Sequence, residues 1–95
     1  MRSTSRVTTT LATFLFVSQA PQSEFAQNPD RTRELVHETA RRLGPNGAAD
    51  AVAEVAFEYG RSPETAAAHM RACLLAVESA GFRTFVPAAR LEVTR

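Results

Sequence analysis

Two interruptions do most to limit what this chain can fold into. "GPNG" at residues 44–47 and "GRSP" at residues 60–63 each combine glycine with proline. Each separates stretches whose apolar residues recur at spacings of three and four. A periodic run stopped and restarted twice predicts three short helices in a mainly α domain over residues 28–81.

The first predicted helix lies in "NPDRTRELVHETARRLG". Asn28 and Asp30 are candidate N-caps and Pro29 suits the first turn. Leu35, Val36, Thr39, Ala40 and Leu43 form one stripe. Arg33, Glu34, His37, Glu38, Arg41 and Arg42 take the rest, with acids early and bases late, as the helix dipole favours. Gly44 serves as a left-handed cap and Pro45 bars continuation. The second helix, "AADAVAEVAFEYG", sets Ala48, Val52, Val55, Ala56 and Tyr59 inward and Asp50, Glu54 and Glu58 outward. Phe57 falls off that stripe, and Gly60 stops the helix. In the third helix Ser62 caps through its hydroxyl, Pro63 takes the first position and Glu64 the first turn. Ala66, Met70, Cys73, Leu74 and Val77 are its buried stripe, and Gly81 ends it.

The flanks differ in character. Residues 1–27 form an N-terminal arm rich in Ser, Thr and Gln. It reads as a β-prone or helical segment packed on the domain, or as a loose arm. Its basic start, the Val7–Val17 run and Ser18-Gln19-Ala20 also outline a secretory signal. Four threonines dilute that run, and Pro21 follows the cut site. The run is too short to span a membrane, which takes about 20 apolar residues. Residues 82–95 alternate β-prone stretches around Pro-Ala-Ala, fitting either a hairpin of the kind called a wing or a short fourth helix.

Ninety-five residues make a single small domain with a small core. A net charge of +1 excludes a strongly basic chain, so any nucleic-acid binding depends on local placement of charge. All eleven basic residues are arginine. The one cysteine, Cys73, excludes an internal disulfide, and with two distant histidines it makes no metal site. It reads as a buried thiol. His69 lies beside the core stripe and reads as a packed histidine; His37 reads as solvated. No catalytic triad, phosphate loop or acid pair is present, so neither an enzyme nor a cofactor is expected.

The second break has a specific geometry. Two helices joined by a three- or four-residue turn containing glycine define a helix-turn-helix. Ala56 would be the small residue at the crossing, Gly60 the turn, and Pro63 and Thr65 the start of the second helix. "GRSPETAAAHMRACL" resembles the DNA-reading region of LuxR-type regulators and sigma factors, over residues 52–75 only. The shared positions are Gly60, Ser62, Pro63, Thr65, His69 and Arg71, with Met70 for leucine. That resemblance implies a DNA face of Ser62, Glu64, Ala67, Ala68 and Arg71, with Arg61, Arg71, Arg83 and Arg90 placed to flank the groove and meet phosphates. The face departs from the family: Arg61 replaces an apolar residue, Glu64 stands at an often basic place, and Ala67 and Ala68 offer no hydrogen bond to a base edge.

The expectation is therefore a three-helix helix-turn-helix domain that binds double-stranded DNA as a homodimer, a cytoplasmic bacterial or phage transcription regulator. The alternative is a non-enzymatic helical module that binds a protein partner, or a small secreted helical protein if the N-terminus is cleaved.

Overall fold

The computed structural model describes residues 6–81, which are almost wholly helical and contain no strand. The hairpin or short helix expected over residues 82–95 lies outside them. The order is α1 (Arg6–Val17), a single turn α2 (Gln22–Phe25), α3 (Pro29–Leu43), a 3-10 turn (Gly44–Asn46), α4 (Gly47–Arg61) and α5 (Pro63–Ala80).

Over residues 6–17 the helical alternative for the N-terminal segment holds, and neither the β-prone segment nor the loose arm does. These residues are a helix at the centre of the bundle, packed against α3, α4 and α5. Leu11, Ala12, Leu15 and Phe16 join Phe25, Leu35, Val36, Cys73 and Val77 in one core. The threonines that weaken its apolar pattern do not prevent a helix, because a hydroxyl can be satisfied on the helix's own backbone. The buried Thr13 Oγ1 donates to the Thr9 carbonyl at 2.8 Å, and Ser18 Oγ donates to the Leu15 carbonyl at 2.6 Å.

Local signals place α3 well. Asn28 Oδ1 accepts from the Arg31 N–H at 3.1 Å, with Pro29 in the first turn, so Asn28 and not Asp30 is the cap. Leu35, Val36 and Thr39 are buried and Ala40 and Leu43 half-buried. The stripe also includes Thr32, whose buried hydroxyl lies 3.1 Å from the Phe25 carbonyl and 3.0 Å from that of Asn28. Arg31 ties α3 to α2 through Glu24. Arg33 reaches the Ala80 carbonyl and so satisfies an orphan acceptor at the end of α5. Gly44, expected as a left-handed cap, has a positive φ of 79 but ψ −160, outside the left-handed helical region; it is Gly81, at φ 74 and ψ 48, that adopts the left-handed cap.

The second break departs from expectation. Gly60 does not stop a helix; α4 runs through it to Arg61, and Ser62 alone separates α4 from α5. The Ser62 N–H donates to the Glu58 carbonyl at 2.8 Å, and its carbonyl accepts from the Ala66 N–H at 2.9 Å. Ser62 thus ends one ladder and begins the next. Proline is the cause: the ring of Pro63 excludes the α region for the residue before it, and Ser62 sits at φ −147, ψ 75. Pro63 itself lacks only an N–H that the first turn leaves unpaired anyway. The Ser62 side chain makes no capping bond.

The face that α4 buries also differs. Gly47 and Ala51 are buried and Glu54, Val55 and Glu58 half-buried, whereas Ala48, Val52, Ala56 and Tyr59 are exposed. The helix seats its thin side on the bundle. A Cβ on Gly47 would lie 2.9 Å from the Leu43 Cβ and 3.6 Å from the Phe14 ring. A side chain at Gly47 would force Leu43 to shift, and Gly47 and Ala51 lead the buried side of α4.

Candidate functional site

On α4 this seating inverts the usual arrangement of an amphipathic helix. The carboxylates of Glu54 and Glu58 turn toward the bundle. Gln19 Nε2 reaches Glu54 Oε2 at 3.5 Å, and Glu58 Oε1 pairs with Arg61 at 2.9 Å. The apolar residues turn to solvent: Val52 is 59 % exposed and Phe57 65 %. Tyr59 stands beside Val52, and Ala49, Ala53, Ala56 and Gly60 fill the middle of the same outward arc. That arc carries no charge. A helix apolar on its outer side is ordinarily covered, and contiguous exposed apolar surface marks interaction sites on soluble proteins.

Beside this face runs an apolar groove of about 300 Å³ between α1, α4 and α5. Val52, Val55 and Tyr59 form one wall, Met70 and Leu74 the other, and Thr9 and Thr13 lie at its base. Val55, Met70 and Leu74 are half-buried hydrophobics packed on the core. The groove therefore continues the core outward to the α4 face.

A second hollow of about 340 Å³ lies at the α4–α5 corner, with polar side chains set against an apolar wall of Phe16, Val17 and Ala66. Glu54, Glu58, Arg61, Ser62, Thr65 and His69 line it. His69 is packed as its position suggested: its ring meets Phe16 edge-on with centroids 4.8 Å apart, and Phe25 lies at 6.1 Å. Burial pushes its pKa down, because it disfavours the imidazolium. Cys73 is fully buried and its thiol is pushed up to about 12 by burial. Among the described residues no cluster of His, Cys, Asp and Glu has the geometry of a metal site.

The structure distributes the expected DNA face unevenly. Glu64, Ala68 and Arg71 are exposed, Ala67 and Ser62 half-buried, and Arg83 and Arg90 lie outside the described residues. Arg61 is exposed but already paired with Glu58, and its guanidinium lies 5.9 Å from the centre of the Phe57 ring. Of the motif positions, Ala56 is on the solvent side and not at a crossing, Gly60 lies inside α4, Thr65 borders the second hollow, and only Pro63 holds its expected place. Periodicity set Val52 and Tyr59 inward and left Phe57 off the stripe, and so missed the face that the three form. The signal available was the absence of charge from positions 48, 49, 52, 53, 56, 57, 59 and 60.

No helix among the described residues is long and apolar enough to cross a membrane. Compared with protein-family models, curated proteins and solved structures, the chain matches none.

Proposed function

We propose that this chain is a non-catalytic helical interaction module that binds protein through the outward face of α4. One observation carries this reading: α4 turns Glu54 and Glu58 toward the bundle and leaves Val52 and Phe57 mostly in water. Full burial of one such side chain gains about 1.5–3 kcal/mol. A partner covering Val52, Phe57 and Tyr59 together would gain enough to offset much of the entropic cost of association. A photo-reactive residue in place of Phe57, activated in cells that make the protein, tests the reading. A protein adduct that disappears when Ala53→Glu is added supports it; no adduct at any expression level rejects it.

Binding of double-stranded DNA, with a role in transcription, is the second reading. It is favoured by the exposure of Arg71 on α5 and weakened by the Glu58–Arg61 pair and by the acids of the adjoining hollow. Fluorescence anisotropy with DNA fragments at two salt concentrations checks it. Binding that weakens with salt and loses slope in Arg71→Ala would favour this reading. The place of α1 in the core supports a protein that keeps residues 6–17, and with them a cytoplasmic location. N-terminal sequencing of the cellular protein tests this: a start after Ala20 would reverse it.

A further inference from the structure

Resting on the reading of α4 as a docking face, we propose that the occupant is a second copy of this chain. The two α4 helices lie side by side and antiparallel, with the twofold axis passing midway between Ala53 and Ala56.

The argument starts from the two edges of the face. At 100° per residue, Val52 and Tyr59 form one edge, Phe57 the other, with small residues between them. Asp50, in the first turn, and Arg61, in the last, lie just outside the Phe57 edge. A helix carrying an acid at one end and a base at the other, on the same edge, is complementary to its own reversed copy. The twofold axis of an antiparallel pair keeps like edges together. Asp50 then lies about 3 Å along the axis from Arg61 of the second copy, and Val52 the same distance from its Tyr59. A parallel pair sends the two charged edges to opposite sides of the interface and forms no such ion pair.

Size complements charge. The middle of the face places Ala49 level with Gly60 of the second copy and Ala53 level with its Ala56. Side chains this small let two helices approach closely enough for Val52, Tyr59 and Phe57 to close over the seam from both edges. Arg61 lies over the Phe57 ring and is paired with Glu58 at 2.9 Å, so the cross-copy pair with Asp50 shares its guanidinium between two carboxylates.

Sedimentation of the full chain over a range of concentrations, combined with disulfide trapping, tests this. Cys73 is buried with its thiol raised to about 12, so an introduced cysteine is the reactive one. In the proposed register the two Ala53 positions lie about 5 Å apart along the axis, within disulfide reach, and the two Ala49 positions about 16 Å apart, beyond it. We expect a reversible dimer, a covalent dimer of Ala53→Cys on mild oxidation, and none of Ala49→Cys. Asp50→Arg and Arg61→Asp should each weaken the dimer roughly five- to tenfold, and the double variant should recover most of the loss. A chain that stays monomeric throughout, or an Ala49→Cys variant that cross-links as readily as Ala53→Cys, overturns the proposal. Failure here is separable from failure of the docking face itself. A monomer whose residue-57 photo-adduct joins a different protein removes the second copy and leaves the face. A monomer with no adduct, or with one internal to residues 82–95, removes both.

Discussion

The Ser62 N–H donates to the Glu58 carbonyl at 2.8 Å, while the Ser62 carbonyl accepts the first bond of α5. The break between the two helices is therefore one residue wide, and Pro63 makes it. Proline at this position also limits the unfolded chain. Pro63→Ala should destabilise the protein by about 0.5–1 kcal/mol through the regained freedom of the unfolded state. Urea denaturation measures this, and a stabilised variant would show that the bend is set elsewhere.

The two glycines of α4 should respond in opposite directions. A Cβ at Gly47 meets Leu43 at 2.9 Å, whereas a Cβ at Gly60 has nothing within 4 Å. Gly47→Ala should cost about 1–3 kcal/mol through overpacking. Gly60→Ala should stabilise by about 0.5–1 kcal/mol, because Gly60 lies within a helix where alanine is preferred. Thermal unfolding of the pair decides the point. A marked loss in Gly60→Ala would restore a turn at that residue.

Leu15 is fully buried among the other helices. Leu15→Ala should cost about 2–5 kcal/mol, the usual range for a large core truncation. A loose arm would respond by less than about 0.5 kcal/mol. Chemical denaturation followed by circular dichroism separates these outcomes.

His69 gives the protein a pH dependence. Its folded pKa lies below the ordinary value of 6.5 because burial disfavours the imidazolium. Above pH 6.5 both the folded and the unfolded chain hold it neutral, and its contribution is fully present. As pH falls below 6.5 the unfolded chain takes up the proton first, so stability declines until the folded pKa is passed. Stability measured between pH 7.5 and 5.5 should fall toward acid in the parent and stay flatter in His69→Gln. Equal slopes would mean that the histidine is open to solvent.

How much of this was legible depended on how local each cause was. Asn28, Pro29, Gly44 and Gly81 act within a turn of the helices they begin or end, so the bounds of α3 and the end of α5 could be read from residue types. The limits of α1 were harder to see. Thr8, Thr9, Thr10 and Thr13 break its apolar pattern, and the hydroxyl of Thr13 is satisfied by a backbone bond that appears only once the helix exists. The interaction face was the least legible. Apolar residues occupy two arcs of α4, and periodicity assigned Val52, Ala56 and Tyr59 to the interior because they outnumber the alternative.

By itself the sequence determined a mainly helical chain, the stops at Gly44 and Gly81, the break at Pro63 and a buried Cys73, since these follow from backbone restrictions and short-range hydrophobic spacing. The tertiary structure decided that α1 lies in the core, that the turn shrinks to Ser62, and that α4 presents Val52 and Phe57 to solvent. The physical reason is packing. α4 seats Gly47 and Ala51 on the bundle, where a Cβ at Gly47 would lie 2.9 Å from Leu43 and 3.6 Å from the Phe14 ring. Leu43 is near in sequence, but Phe14 belongs to α1, and which arc of α4 faces inward depends on that distant helix, which no local pattern encodes.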